Sequence, residues 1–288
     1  VQYNETAFDF CSRLMEEEGI FYFFEHVDGK HTLVLADDVS AFTPCPGAAT
    51  VAYGTEALWV QQNVLTRATV SESVLPGSFA LDDFFFETPS TDLMVSTDGK
   101  AADSGAPKRR IYEYPGRYTK KDRGTDLSKL RIESRETPGK VLSGEGYCRA
   151  FLPGYTFTLE EHYRQDANAD YTLARVLHTF EWDHYENAFE AIPAEVPYRP
   201  LPVTPKPFIP GTQTAVVVGK QGEEIWTDEY GRIKVQFHWD QLGTNDENSS
   251  CWIRVAQPWA GKAWGQIFLP RIGQEVVVTF VDGDPDRP

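Results

Sequence analysis

Glu16-Glu17-Glu18 stand in a row, Asp82 and Asp83 are adjacent, and His178 and His184 lie six residues apart. These are the residue types of acid–base catalysis and metal binding. Paired carboxylates cleave glycosides only when they flank the scissile bond, about 5–9.5 Å apart, and adjacency in sequence sets no such distance. Two histidines six apart on one strand face are separated by roughly 20 Å, too far to chelate one ion. Glu161 and His162, as neighbours on a strand, point to opposite faces. Cys11, Cys45, Cys148 and Cys251 are scattered and form no Cys-x-x-Cys. Gly-x-Ser-x-Gly, phosphate-loop and His-Glu-x-x-His patterns are missing too. The expectation is that catalytic, cofactor-binding and metal residues are all absent, so that the purified chain carries no stoichiometric metal. Glu16–Glu18 read as a solvated helix face, and each histidine as a packed or surface residue. The thiols read as reduced, three of them in cores and Cys45, beside Pro44 and Pro46, in a loop.

The chain has 288 residues, 41% of them apolar, with 18 Phe, 13 Tyr and 7 Trp, enough for about two ordered domains. Its net charge is −16. The 32 acidic and 20 basic residues before Gly211 give −12, and the 11 and 7 from there on give −4. That balance argues against nucleic-acid or anionic-membrane surfaces, which need positive patches. The basic knot Lys108-Arg109-Arg110 reads as a local salt-bridge partner. No run approaches the length of a membrane span, no signal segment opens the chain, and synthesis in a cytoplasm is expected.

Thr6 to Glu18 predicts a helix whose stripe is Ala7, Phe8, Cys11, Leu14 and Met15, with Thr6 as cap, Asp9 completing a weak capping box and Gly19 at C′. Ile20–Phe24 and His31–Leu35 around Asp28-Gly29 predict a hairpin. Thr50 to Val74 reads as β, with a strand at Trp59–Val64, and Pro76 to Gly116 as irregular. A second helix is predicted over Asp126–Arg135, stopped by Pro138-Gly139, then strands over Tyr155–Glu161 and Tyr171–Trp182. Seven prolines between Pro193 and Gly211 predict an extended, semi-rigid connector and a domain boundary.

Beyond the connector, Arg232–Trp239 alternates strictly, with Ile233, Val235, Phe237 and Trp239 on the apolar face, which places Lys234 on a solvent face. Cys251–Ala256 and Gln266–Leu269 read as further strands. Thr214–Val218 and Glu275–Val281 are apolar, or nearly so, on both faces. Five short strands between turn clusters point to a small barrel of the oligonucleotide/oligosaccharide-binding (OB) type. In Glu275–Val281, Val276, Val278 and Phe280 face one side, and Val277, Thr279 and Val281 the other. A barrel buries only its inner side, so these residues, with Trp252, are the candidate barrel-packing or trimer-contact set. The second face must meet either the other half of the chain or a neighbouring copy. Trp226, Trp239, Trp252, Trp259 and Trp264 would be the stacking platform of a single-strand binder, but the −4 charge makes filling of the barrel and its contacts the better reading.

Long motifs then carry a resemblance. Phe8–Ile20, Tyr112-Glu113-Tyr114-Pro115-Gly116, Asp228–Val235, Asn245–Trp252, Pro270–Val276 and Gly283–Pro288 resemble the VgrG spike proteins of bacterial type VI secretion systems. The resemblance implies a mainly β fold: a hub-like β-barrel region with a few short helices over residues 1–192, a connector over 193–211, and a small OB-fold barrel over 212–288. It implies a hub that lacks the family's first barrel segment and a barrel that stops where a β-helical needle begins, with neither an appended effector domain nor a lysozyme insertion. It also implies a non-enzymatic, trimeric hub and spike related to contractile phage tails. The implied partners are further copies of the chain, a tail tube protein, a needle-tip protein with effector cargo, and a target membrane punctured mechanically, with no nucleic acid. Such a protein is assembled in the bacterial cytoplasm and then secreted. The residue-level alternatives are an OB nucleic-acid binder and a cell-envelope hydrolase.

Overall fold

The computed structural model describes residues 1–54, 63–100, 105–182, 184–262 and 264–288. They form two compact units, Cys11–Thr204 and Val1–Phe10 with Pro205–Pro288. The first ten residues, read in the sequence as part of the hub-like region, thus go with the C-terminal residues. Tyr3 is the reason: its hydroxyl accepts from Gln213 at 2.9 Å and its ring meets Trp239 edge-on at 5.3 Å.

Helix α1 (Ala7–Glu17) begins and ends as its sequence dictates. Thr6 Oγ1 accepts the Asp9 N–H at 3.0 Å and donates to the Asp9 carboxylate at 2.7 Å. At the far end Ile20 N–H reaches the Met15 carbonyl (2.8 Å) and Gly19 N–H the Glu16 carbonyl (3.3 Å), with Gly19 at φ +70°. This is the paired closure that an αL residue at C′ permits. The orientation differs from expectation, since Ala7, Phe8, Cys11 and Leu14 are exposed while Arg13 is buried. Specific bonds on the polar side outweigh the apolar stripe. The Glu16 carboxylate accepts the Thr204 N–H at 3.0 Å and its hydroxyl at 2.7 Å, and Glu18 pairs with Arg123. The triple glutamate is therefore partly an anchor, not a wholly solvated face.

Hairpin β1 (Phe21–Val27) and β2 (Lys30–Ala36) turns at Asp28-Gly29, Gly29 lying at φ +69°. Phe21 and Phe23 are buried on one side and Tyr22, Phe24, Leu33 and Leu35 are exposed on the other. The main barrel is built from β4 (Thr50–Tyr53), β5 (Val64–Glu72), β9 (Lys140–Gly146), β10 (Tyr155–Glu160), β11 (Asp170–Glu181) and β12 (His184–Pro193). It runs β4-β5-β9-β12-β11-β10 and closes by the β10–β4 pair, with β3 (Thr43–Pro44) extending β10's edge. Closure leaves few unpaired edges in these strands. Val51, Leu65, Leu142, Phe151, Phe157, Leu159, Tyr171, Leu173 and Phe189 fill the interior. Of the strand read at Trp59–Val64, residues Trp59–Gln62 lie outside the described residues.

The stretch read as irregular contains a three-stranded sheet, β6 (Ser78–Leu81) between β7 (Val95–Asp98) and β8 (Arg110–Glu113). Four-residue strands are too short for alternation to show against their turn-rich flanks. Helix α2 (Lys121–Glu136) covers them, starting five residues before the predicted Asp126. Its first turns carry little apolar signal, and an interior Gly124 obscures them further. That glycine has a packing role: a Cβ there would sit 2.5 Å from the Tyr118 ring, whose hydroxyl donates to the carbonyls of Leu81 (3.0 Å) and Leu93 (2.7 Å). In the basic knot, Arg109 Nε donates to the Leu75 carbonyl and Arg110 lies over the Tyr112 ring.

The proline-rich segment is pinned at intervals. Arg199 Nε pairs with Glu133 at 2.9 Å, Tyr198 packs edge-on against Phe21 at 5.2 Å, and Thr204 holds Glu16. Past the division at Thr204, Lys206 pairs with Asp284 at 2.8 Å and Asp286 at 2.9 Å, and Ile209 is buried.

Candidate assembly surface

Three strands make the C-terminal sheet, with β13 (Thr212–Val218) between β14 (Lys234–Phe237) and β17 (Glu275–Thr279). Gly273 N–H bonds the Val217 carbonyl at 2.9 Å, holding the turn that feeds β17. Period two then sorts the residues by face. Ala215, Val217, Ile233, Val235, Phe237, Ile253, Val278 and Phe280 form the core, with Val276 packed partly against it. On the other face Val277 is 68% exposed and lies opposite Thr214, Thr279 lies opposite Thr212, and Val216 lies beside Glu275. Val281, past the strand in a short 3-10 turn (Val281–Gly283), is 52% exposed. The candidate set thus splits, with Val276, Val278 and Phe280 inward and Val277, Thr279 and Val281 outward.

Of the five strands read from the sequence, Cys251–Ala256 makes one bridge, Ile253 to Ile233, and Gln266–Leu269 is a loop. The two-residue strands β15 (Ala260–Gly261) and β16 (Trp264–Gly265) form a separate hairpin. Pro258, Gly261, Gly265 and Pro270 interrupt the ladders there by removing donors or loosening the backbone. The reading of the tryptophans as filling the barrel and its contacts holds for Trp239, which packs against the core and stacks on Phe237 at 5.0 Å, and not for the exposed Trp259 and Trp264. Trp226, Trp239 and Trp252 are half-buried, and Trp259 and Trp264 are exposed and meet edge-on at 6.0 Å. Ile267 and Phe268 extend that exposed patch. Trp252 stacks on Trp226 at 6.5 Å and carries Lys234 Nζ at 4.9 Å from its ring centre.

Lys234 accordingly is not on an open solvent face. Its ammonium donates to the Glu247 carbonyl at 2.6 Å, and the loop that supplies this partner also helps bury Gln236. Lys234→Ala is expected to cost about 2–4 kcal/mol, the sum of a charged hydrogen bond and a ring contact, where an open solvent site would cost about 0.5 or less. Chemical denaturation of the two proteins measures it.

A second anchor lies in the turn before β14. The Asp228 carboxylate accepts the N–H groups of Tyr230 (3.0 Å) and Arg232 (2.9 Å) and pairs with the Arg232 guanidinium, around Gly231 at φ +69°. Burial pushes the Asp228 carboxyl up, but the Arg232 and Tyr230 hydrogen bonds outweigh it and hold it below the ordinary carboxylate range. A depressed folded-state value means stability that is present above the unfolded value of about 3.9 and lost as pH falls through the folded one. Asp228→Ala should cost about 1–3 kcal/mol at pH 7. Melting curves of the two proteins should draw together below about pH 4.

The other residues singled out for chemistry are apart and structurally employed. Asp83 accepts from Phe84 N–H (2.7 Å) and Arg117 N–H (2.6 Å), and Asp82 from Asp83 N–H (2.9 Å). His178 and His184 are on different strands of the β11–β12 hairpin, not on one strand face, because β11 ends at Glu181 and β12 begins at His184. His178 Nδ1 meets the Tyr185 hydroxyl at 2.8 Å and Nε2 the Phe151 carbonyl at 3.0 Å. Glu161 has φ +62°, so the strand ends before the buried His162, which stacks on Tyr163. Cys45 and Cys148 are the buried thiols, and Cys11 and Cys251 are exposed. Cys45 is drawn into the barrel core despite its prolines because it follows β3 beside β10, its N–H bonding the Thr156 carbonyl at 2.8 Å. Burial raises Cys45 to about 11 and Cys148 to about 12, which keeps both protonated and unreactive near neutrality. Among the described residues, no group of three or more His, Cys, Asp or Glu side chains is placed to hold a metal ion.

Comparison with known proteins assigns this architecture. The family described as phage tail baseplate hub (GPD) matches residues 1–184, and the type VI secretion system/phage-baseplate injector OB domain matches residues 213–288. The type VI secretion system spike proteins VgrG1b and VgrG1a of Pseudomonas aeruginosa are each 42% identical over 300 residues, covering 100% of this chain. The chain spans 40% and 46% of their respective lengths. The E. coli c3393 protein, described as a type VI secretion component similar to the T4 tail proteins gp27 and gp5, shares the fold with a TM-score of 0.63 at 19% identity. That match covers 100% of this chain and 60% of the other. A chain of the Francisella PdpA–VgrG complex aligns with a TM-score of 0.52 at 8% identity, over 96% of this chain and 50% of its own length. The chain therefore belongs to the phage tail baseplate hub (GPD) family, its hub followed by an injector OB domain.

Proposed function

We propose that this chain is the hub and barrel portion of a type VI secretion spike, a structural part that works as a homotrimer. The identity of 42% across the whole chain to spike proteins carries the reading. The closed hub barrel and the outward stripe around Val277 support it physically. A spike driven by a contracting sheath performs no bond chemistry and must pass an axial load through a stiff, symmetric body. Three copies about one axis satisfy every outward stripe with a single repeated contact, and closure prevents open filaments. The proposed partners are further copies of the chain, the tail tube protein, a needle-tip protein with effector cargo, and a target membrane breached mechanically. Assembly in the bacterial cytoplasm precedes secretion. Static light scattering of the purified chain at micromolar concentration tests the proposal, with a mass near three times 32.5 kDa expected. A monomer at that concentration removes the trimer from the reading.

A further inference from the structure

The β1–β2 hairpin sets His26 opposite His31, both exposed, with their Nδ1 atoms 3.2 Å apart and their rings at 69°. Val27 and Lys30 close the two-residue turn, so the next pair falls at a non-hydrogen-bonded position, where side chains of opposing strands sit closest. Phe24, its ring centre 6.3 Å from that of His26, and Leu33 opposite Phe24 form an apolar floor on the same side. Glu25 and Thr32, the neighbouring pair, point to the other side of the pleat.

Imidazole nitrogens bind zinc-like ions at about 2.0–2.1 Å, so two of them in neighbouring coordination positions are about 2.9–3.4 Å apart. The observed 3.2 Å falls within that interval and corresponds to an N–metal–N angle of about 100°. Few side-chain torsions then have to change for an ion to enter. We propose that His26 and His31 form a two-imidazole chelate for a late first-row divalent ion, water filling the remaining positions. Copper(II) binds most tightly and nickel and zinc follow, while magnesium, which prefers oxygen ligands, does not bind. In the metal-free chain the same spacing holds one N–H···N hydrogen bond, one ring donating to the other. A bound ion staples the strands one position from their turn and stiffens a hairpin whose outer side is apolar. Sequence spacing hides the site because a turn separates the two histidines, and only strand pairing brings them together.

The test is a calorimetric titration of the metal-free chain with copper, zinc and magnesium ions, with copper electron paramagnetic resonance as a second readout. One ion per chain, nitrogen hyperfine structure for copper, and no magnesium response are expected. His26→Ala and His31→Ala should each weaken copper binding by about tenfold or more, while the metal-free melting temperature stays unchanged. The decisive variant combines His31→Thr with Thr32→His, which keeps both imidazoles but moves one to the opposite side of the strand. Loss of the one-ion step in that variant supports the chelate. Retained binding there, or no saturable step in the unaltered chain, overturns it.

Discussion

Phe157→Ala is expected to remove about 3–5 kcal/mol from the stability of the hub unit. Phe157 is 2% exposed and lies on β10 opposite Tyr171 of β11. Its ring touches Phe151 (4.8 Å), Phe189 (5.7 Å) and Tyr171 (5.9 Å), which reach it from different parts of the barrel wall. A closed barrel cannot easily collapse onto the void, since moving one strand inward would break two ladders at once. The residual cavity therefore persists and adds to the lost transfer energy. Against a total of about 5–15 kcal/mol for a domain, the change is large, corresponding to a melting shift of roughly 6–20 °C. Denaturant unfolding should show a lower midpoint with the slope unchanged. Phe180→Ala, on β11 but 73% exposed, should cost about 0.5 kcal/mol or less. A loss below about 1 kcal/mol for Phe157→Ala would mean that the aromatic cluster is not the core of the barrel.

Val277→Asp is expected to abolish association while leaving each copy folded. Val277 is 68% exposed in the single chain and lies opposite Thr214, with Val216 and Thr279 on the same face and Glu275 there 3.9 Å from His238. In a trimer built on this stripe an added carboxylate enters each of three equivalent, largely apolar contacts. An uncompensated buried charge costs about 3–5 kcal/mol per contact, some hundredfold or more in affinity. Light scattering should then report 32.5 kDa, with circular dichroism unaltered. Val278→Asp, one residue on, places the same carboxylate in the core beside Ala215, Val235 and Phe280 and should unfold the C-terminal unit instead. Opposite outcomes at adjacent positions are the signature of the pleat. A Val277→Asp chain that remains trimeric would move the contact elsewhere, and the exposed patch of Trp259, Trp264, Ile267 and Phe268 would be next to test.

Local signals in the sequence determined local structure. Thr6, Asp9 and Gly19 bounded α1, Asp28-Gly29 placed the first hairpin, and alternation sorted Val276, Val278 and Phe280 from Val277, Thr279 and Val281. Each depends on residues within one turn or one strand, so spacing alone decides it. The long motifs likewise carried the family, because matches spread along the whole chain are specific even where single elements are ambiguous. Tertiary structure decided what those elements face. The stripe of α1 points outward because Glu16 is held by Thr204, nearly two hundred residues away, and no periodicity encodes such a partner. Cys45 is buried because β10 lies beside it, and Lys234 is covered because the chain returns at Glu247. Trp239 packs on the C-terminal core while Trp259 and Trp264 stand exposed on a separate hairpin, a division that only the tertiary fold makes. His26 and His31 meet only through strand register. Sequence specifies which residues can share a face, whereas the chain's long-range returns decide which faces are covered and which are left open.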